Sequence, residues 1–268
     1  MKIKAYQICY SPETLASVPE GFHALNYTDN SRPDWREFWP IRQFLLNNYL
    51  NDDTLYGFLS PKFYQKTGLN FASIFEFIQN YYTDQDVVTF SPFWDLSSIF
   101  QNVFEQGNFF HPGLSELCDN FSNIHLCKYD FSNSINSSRN SIFCNYFFAK
   151  SKFWKEWLQI AELLYQASED ASTLSSSLNA LTPYGHQSLP IKIFVQERLP
   201  TMCLLLNNMK TLAFNTFSLP SSTTPFNIFF DQAIQSDALK IAFSETNNQI
   251  YLNQFSNIRN EIIASLRK

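Results

Sequence analysis

Glycine is scarce in this sequence, with six residues in 268. The six are dispersed, so the chain contains no Gly-x-Gly-x-x-Gly turn and no Walker loop. Dinucleotide-binding and P-loop folds use such turns to bring backbone N–H groups close to phosphates, and both are therefore disfavoured. No Gly-x-Ser-x-Gly motif occurs either, which argues against the nucleophile turn of an α/β-hydrolase.

Cysteine and histidine are also few and are poorly spaced for metal binding. The five cysteines are odd in number and include no Cys-x-x-Cys pair, which disfavours a zinc site and a disulfide framework. The four histidines lack metal-ligand spacing, and we interpret each as a surface residue or as support for a neighbouring site. His111 is kept as a candidate substrate-binding residue.

Long apolar runs and blocks of positive charge are absent. No stretch of 18 apolar residues occurs and the N-terminus has no apolar signal-peptide core, so we expect a cytoplasmic protein. The net charge of −5 disfavours a nucleic-acid partner. The C-terminus is only thinly basic, which allows at most peripheral membrane contact; its cationic residues are Arg259, Arg267 and Lys268.

Aromatic residues are abundant instead. The chain has 28 phenylalanines and 13 tyrosines, and apolar residues make up 45% of it. This length and composition support one large domain with a thick core. They also favour a ligand cleft lined by rings.

Strand-like and helix-like segments alternate through the first two hundred residues. The pattern predicts strands at 3–10, 55–60, 86–95 and 142–149, and a further strand from 211. It predicts helices at 35–48, 70–82, 97–104, 114–121, 152–169, 229–242 and 253–267, with surface loops such as 172–177 between them. Residue 191 begins either a strand or a helix, and a helix that reaches 207 follows it. Ser11 and Asp34 are the expected N-caps of the first helices. The alternation predicts a single α/β domain with a mixed, mostly parallel sheet and helices on both faces, comprising residues 1–210. Residues 211–268 are expected to pack on it as a helical extension.

Asp95 is the first candidate for chemistry. It follows an apolar strand, and open α/β sheets bind ligands beyond the carboxyl ends of their strands. Its hard oxygen atoms suit Mg²⁺ or Mn²⁺. The alternative is that Asp95 caps the helix that begins at Leu96, and both roles are compatible.

Glu197 and Arg198 form the second candidate pair. A carboxylate at the end of an apolar segment can accept a proton from an attacking hydroxyl group. Arg198 can then orient Glu197 or bind a phosphate in a bidentate manner. The alternative is a solvent-facing ion pair at the start of a helix.

The third constellation combines charges and rings between residues 30 and 39. Arginine and acidic residues alternate with tryptophans that can stack on a base or a sugar, and the substrate-binding candidates here are Arg32, Trp35, Arg36, Glu37 and Trp39. Further along come Tyr56-Gly57-Phe58 with Lys62, then Cys144-Asn145-Tyr146-Phe147 with Lys150 and Phe153, and then Glu197-Arg198-Leu199.

The order and spacing of these pieces resemble a bacterial family of small GT-A-type glycosyltransferases of capsular or lipopolysaccharide biosynthesis. The resemblance covers residues 3–207 and implies a GT-A-like (Rossmann-like) domain that moves a sugar from a nucleotide-sugar donor to a cell-envelope glycan or a lipid-linked acceptor. It places Trp35, Trp39, Tyr10 and Ser11 at the donor and Asp95 at the diphosphate with a divalent metal. Glu197 is then the general base, while Asn145 and Arg198 contact substrate.

Three features depart from the family pattern. Asp95 stands alone where such enzymes usually have Asp-x-Asp, and Tyr56-Gly57 lacks the residue that the family has between ring and glycine. Ser60-Pro61-Lys62 replaces a run of His-Tyr-Arg-Arg. Contact with phosphate therefore falls to Lys62 and Lys66. One alternative function is a non-catalytic carbohydrate-binding or interaction module on the same fold. Another is an effector with the same chemistry that transfers a sugar to host protein.

Overall fold

A computed structural model describes residues 1–266, so the basic C-terminal residues Arg267 and Lys268 lie outside the described part. Within those residues there are eight strands: β1 Lys2–Cys9, β2 Phe22–Asn26, β3 Thr54–Leu59, β4 Val87–Thr89, β5 Phe147–Ala149, β6 Leu181–Tyr184, β7 Gln187–Pro190 and β8 Thr211–Ala213. The same residues form thirteen α-helices: α1 Pro12–Ala16, α2 Phe38–Asn47, α3 Phe63–Thr67, α4 Phe71–Tyr81, α5 Trp94–Ile99, α6 Val103–Phe110, α7 Leu114–His125, α8 Ser151–Glu169, α9 Thr173–Leu178, α10 Lys192–Gln196, α11 Leu199–Asn207, α12 Phe230–Thr246 and α13 Gln249–Leu266. Short 3-10 turns occur at Pro33–Trp35, Thr216–Ser218 and Pro225–Ile228.

Six strands form a mixed sheet in the order β2-β1-β3-β5-β4-β8. The pairs β1–β2, β1–β3 and β4–β8 are parallel, and β5 runs antiparallel to both of its neighbours. This confirms the predicted α/β class with a mostly parallel mixed sheet. Strand β8 falls within 211–268, so the segment expected to be a helical extension begins with a strand of the central sheet.

Helices cover both faces of the sheet. Side chains alternate along each strand, so every strand contributes residues to both faces. Tyr56 and Phe58 point into one buried cluster, which they share with residues of α2 and α8. Leu55 and Leu59 point into the other, with residues of α3 and α4. The predicted placement of helices on both faces is confirmed.

Helix α8 is the main cover of the first face. It places Phe153, Trp154 and Trp157 on one side, as the sequence pattern predicts. The ring of Trp154 stacks on Phe147 at 5.0 Å, and its Nε1 donates to the carbonyl oxygen of Tyr56 at 3.1 Å. The indole therefore buries its surface without leaving its polar atom unpaired.

Several predicted boundaries are wrong. The strand predicted for 142–149 covers only Phe147–Ala149, because Cys144 and Asn145 have positive φ and form a turn. The strand predicted for 86–95 ends at Thr89, and Phe93 has a φ of 69°. The helix predicted for 97–104 is two helices, α5 and α6, and the predicted loop 172–177 contains α9. The segment expected to begin at 191 as a strand or a helix is the helix α10, and α11 follows it to Asn207 after a break at Glu197 and Arg198.

The predicted caps differ in outcome. Ser11 caps α1, as its side chain accepts from the Thr14 N–H. Asp34 does not cap α2, because its carboxylate is occupied by Arg32 and Lys192 and the helix begins only after Glu37. Among residues 1–266, no helix is both long enough and apolar enough to cross a membrane.

Candidate functional site

A cleft of about 510 Å³ opens at the carboxyl ends of β1, β2 and β3. The residues that directly follow these strands line it: Tyr10 after β1, Tyr27 after β2 and Ser60 after β3. The chain runs from β1 to β2 on one side and then crosses β1 to reach β3 on the other. The cleft therefore lies where open α/β sheets bind ligands, beyond the strand ends at a switch in strand order.

The walls come from five separate parts of the chain. They are the segment before α2 with its first turn, α3 with the residue before it, the turn before β5, the β6–β7 hairpin, and α10 with the residue after it. The side chains that they contribute are Asn30, Pro33, Arg36, Glu37, Pro40, Lys62, Lys66, Cys144, Asn145, Tyr146, Tyr184, Leu189, Ile193, Phe194, Gln196 and Glu197, and Ile8 of β1 completes the floor. Three cations and two carboxylates thus face one cavity with rings around them.

Arg36 reaches the cleft through an unusual backbone conformation. Its φ and ψ are 45° and −128°, a region that costs a non-glycine residue of order 1–3 kcal/mol. The preceding Trp35 holds this turn in place because it is fully buried, and its Nε1 donates to Glu169 at 3.3 Å. The strain is therefore supported by packing, which is typical of positions that aim a side chain at a ligand.

The turn before β5 shows a second cluster of unusual backbone angles. Cys144 and Asn145 have φ values of 58° and 57°, and the N–H of Tyr146 donates to the carbonyl oxygen of Phe143 at 3.1 Å. Two successive residues of positive φ closed by this bond make a type I′ turn. The Oδ1 of Asn145 is buried and has no hydrogen-bond partner in the described chain.

Lys66 connects this turn to the charged groups of the cleft. Its Nζ donates to the Cys144 sulfur at 3.4 Å. Burial alone would lower the pKa of Lys66, but the sulfur and the carboxylates of Glu197 and Glu37 outweigh it and raise the pKa. Burial raises the pKa of the Cys144 thiol to about 11. The pair is therefore a cation beside a neutral thiol at neutral pH.

Glu37 is the carboxylate with the most perturbed titration. Burial raises its pKa to about 7, and the charge of Glu197 adds to this, while Lys66, Arg36 and Lys62 oppose it. Its carboxylate forms no hydrogen bond to any residue in 1–266. A cleft group that is half protonated near neutral pH is suited to proton transfer.

Glu197 is held from behind by Arg198. The Nη1 of Arg198 donates to Glu197 Oε2 at 2.8 Å, and its other donors reach the carbonyl oxygens of Val103 and Phe194 and the Oε1 of Gln106. The Arg198 side chain is only 8% exposed, whereas that of Glu197 is 41% exposed. The alternative of a solvent-facing ion pair is therefore wrong for Arg198, and the prediction that Arg198 orients Glu197 fits these contacts. With its donors engaged and no place in the cleft lining, Arg198 is not positioned to hold a phosphate.

The structure brings together seven of the residues predicted from sequence: Tyr10, Arg36, Glu37, Lys62, Lys66, Asn145 and Glu197. The predicted tryptophans are elsewhere. Trp35 and Trp39 pack on Tyr165 of α8 at 5.6 and 5.7 Å, and Arg32 binds Asp34 and Glu169 at 2.9 and 2.7 Å. These three residues dock the loop onto α8 and do not line the cleft.

Ser11 and His111 also lie outside the cleft lining. Ser11 is occupied as the cap of α1. His111 stacks on Phe194 at 3.5 Å, and burial lowers its pKa to about 4. Since Phe194 lines the cleft, the neutral ring of His111 supports the wall from behind.

Asp95 is fully buried away from the cleft. It lies in the first turn of α5, whose N-cap is Phe93, so the predicted capping role is wrong. Its carboxylate accepts from the Ser222 N–H at 2.8 Å and from the hydroxyl groups of Ser222 and Thr224. These contacts do not fit a divalent ion held by Asp95 against a ligand in the cleft. Whether the protein uses Mg²⁺ or Mn²⁺ stays a prediction.

Sequence reasoning missed the hairpin wall and the amide beside Glu197. Tyr184 precedes Gly185, which has a φ of 59° at the hairpin turn. Gln196 is only 5% exposed, and its Oε1 has no partner among residues 1–266. The Tyr184-Gly185 pair was the available indication of the turn. Nothing in the sequence marked Gln196.

Comparisons of the chain with protein-family models, with curated proteins and with solved structures found no match. The fold and the cleft geometry are therefore the basis for the functional inference.

Proposed function

We propose that this protein is a glycosyltransferase that moves a sugar from a nucleotide-sugar donor to a cell-envelope glycan or a lipid-linked acceptor. The observation that carries the proposal is the cleft beyond β1 and β3, where cations, carboxylates and rings from distant segments meet. The fold itself is shared by many chemistries, so the proposal depends on this site. The finer assignment to the GT-A type, suggested by the sequence resemblance, is part of the proposal.

The three cations supply the chemistry for a diphosphate. Arg36, Lys62 and Lys66 line one cavity, and a guanidinium and two ammonium groups suit phosphate oxygens. Charge on the leaving diphosphate grows as the bond to the sugar breaks, and preorganised cations stabilise that charge. Tyr10 and Tyr27 flank the strand ends, where a base or a sugar ring can stack on them.

Glu197 is the proposed general base. An inverting transfer needs a carboxylate that takes the proton of the acceptor hydroxyl group while that oxygen attacks the anomeric carbon. The cleft-facing, partly exposed Glu197 is held by the buried Arg198 at 2.8 Å. This contact fixes the carboxylate at the cleft while leaving it accessible to an acceptor.

A thermal-shift series tests the proposal. Nucleoside diphosphates and nucleotide sugars of the uridine, guanosine and cytidine classes are added with and without Mn²⁺. We expect one class to raise the melting temperature by several degrees, and Lys62→Ala together with Lys66→Ala to abolish the shift. Lys155→Ala is the matched control because Lys155 is exposed on α8 and outside this cleft. If no nucleotide shifts the wild type, or if the shift survives the cleft substitutions, the proposed donor site is wrong.

A non-catalytic carbohydrate-binding module is the second candidate. It is favoured by Asp95, because the acid that the resemblance assigns to the donor diphosphate is buried elsewhere with Ser222. Binding of oligosaccharides without any response to nucleotides would support this candidate over the enzyme.

A further inference from the structure

The two carboxylates of the cleft have unequal surroundings. Glu197 accepts a hydrogen bond from a buried guanidinium at 2.8 Å. Glu37 has no hydrogen-bond partner among residues 1–266, and it sits just before α2 in the turn that is strained at Arg36. Glu197 is therefore held by a cation, whereas the carboxyl group of Glu37 forms no hydrogen bond within the described residues.

The charges that face Glu37 come from three segments. Arg36 precedes it, Lys62 and Lys66 approach from α3, and Glu197 approaches from the end of α10. The Cys144 thiol contacts Lys66 and is neutral. Burial and the charge of Glu197 raise the pKa of Glu37 by more than the three cations lower it, and the result is a pKa of about 7.

A diphosphate would change this balance in one direction. It adds negative charge to the cavity that already holds both carboxylates, and like charge disfavours the ionised form of a neighbouring acid. It also draws Arg36 and the lysines toward its own oxygens, so these cations support the Glu37 anion less. Both changes favour protonation of Glu37.

We propose that Glu37 takes up a proton when a diphosphate enters the cleft and, as a neutral carboxylic acid, donates a hydrogen bond to a diphosphate oxygen. The inference rests on the proposed function, because it takes the ligand to be a diphosphate. The proton comes from solvent on binding. When the anomeric C–O bond breaks, its electron pair passes to a diphosphate oxygen, and the Glu37 O–H stabilises the charge that develops there.

Isothermal titration calorimetry with inorganic pyrophosphate tests this without any assay of turnover. The wild type and Glu37→Gln are titrated at pH 7.5 in two buffers of different ionisation enthalpy, which gives the protons taken up on binding. A group with a pKa near 7 is protonated in about a quarter of the molecules before pyrophosphate is added, so complete protonation takes up about 0.75 proton. The ionisation of pyrophosphate itself is common to both proteins and cancels in the difference.

The expected result is an uptake about 0.75 proton larger in the wild type than in Glu37→Gln. Glu37→Gln should still bind because its amide can donate. Glu76→Gln, at an exposed position on α4, should match the wild type. Binding with equal uptake by wild type and Glu37→Gln overturns the inference and leaves the proposed function standing. Absence of pyrophosphate binding by the wild type overturns the diphosphate site and the inference with it.

Carbon-13 NMR of glutamate carboxyl groups provides a second measurement should Glu37→Gln fail to fold. At pH 7.5 one glutamate resonance of the wild type should move to the position of a neutral acid when pyrophosphate saturates the cleft. If every glutamate resonance stays at the position of a carboxylate, the inference is wrong.

Discussion

Arg198→Met tests how much the hydrogen bonds of Arg198 contribute to stability while Glu197 itself is left unchanged. Methionine keeps the length of the apolar stem but removes the donors that reach Glu197, Gln106 and the carbonyl oxygens of Val103 and Phe194. The buried Oε1 of Gln106 is then left unpaired, which costs about 1–3 kcal/mol. The side chain of Glu197 is 41% exposed, so water can replace its lost hydrogen bond and it adds little to the loss of stability. When the lost hydrogen bonds to the two carbonyl oxygens are included, we expect the free energy of unfolding to fall by about 2–4 kcal/mol.

Urea unfolding followed by circular dichroism measures this change. A lower midpoint at an unchanged slope reports a loss of stability without a change in the surface exposed. Each kcal/mol should also lower the melting temperature by about 2–4 °C for a chain of this size. A free energy of unfolding within about 0.5 kcal/mol of the wild type would refute the buried role of Arg198. Gly107→Ala is a companion variant, because its added Cβ would lie 2.9 Å from Arg198 Nη2 and should disturb the same contacts.

The remaining predictions concern the cleft and its strained turn. Glu197→Gln should lower turnover by roughly 10²–10⁴-fold with donor affinity nearly unchanged. It should cost about 1–2 kcal/mol of stability, because the buried Arg198 exchanges a charged acceptor for a neutral one. Asp95→Asn should instead lower the melting temperature and leave the affinity for nucleotide unchanged in a titration, because Asp95 is buried outside the cleft. Arg36→Gly should raise the free energy of unfolding by about 1 kcal/mol, since relief of the strained turn exceeds the entropic cost of glycine, yet weaken nucleotide binding; loss of stability would contradict this. For Glu37, burial raises the folded pKa to about 7, so wild-type stability should fall between about pH 4.5 and 7 and then level off. The free energy of unfolding of Glu37→Gln, measured in urea, should lack that fall. Curves of stability against pH that run parallel for the wild type and Glu37→Gln would contradict this.

The fold was largely predictable where hydrophobic periodicity is strong. Helix α8 matches its prediction within one residue because Phe153, Trp154 and Trp157 recur on one face. The strand at Val87–Thr89 was predicted too long, because apolar residues continue beyond it to Phe93, whose φ of 69° ends the extended backbone. The turn at Cys144 and Asn145 was also not predictable, since neither residue is a glycine and the closing bond joins Tyr146 to Phe143.

Two cleft residues could be predicted because each is a charged residue that follows a strand or breaks a helix. Lys62 after β3 and Glu197 between α10 and α11 satisfy that rule, and both line the cleft. Trp35 and Trp39 were predicted to line the donor site but do not. A mixture of rings and charges is equally suited to docking on another helix. Their partner Tyr165 lies more than a hundred residues away in the chain, and a single sequence carries no record of that contact.

The hairpin wall escaped prediction for a different reason. Strands β6 and β7 are mostly exposed and show no regular alternation of apolar and polar residues. Their position depends on contacts such as Tyr184 with Phe194, at 5.5 Å. Such walls form from tertiary contacts, and local propensity does not specify them.

A crystal structure of the protein soaked with UDP, GDP or CMP tests the central claim most directly. We expect one of these nucleotides in the cleft beyond β1 and β3, with its phosphate oxygens within hydrogen-bond distance of Arg36, Lys62 or Lys66 and its base near Tyr10 or Tyr27. The same soak of Lys62→Ala with Lys66→Ala should leave the cleft without nucleotide. A nucleotide bound elsewhere on the chain, or no nucleotide at concentrations that saturate ordinary donor sites, would contradict the proposed glycosyl transfer at this cleft.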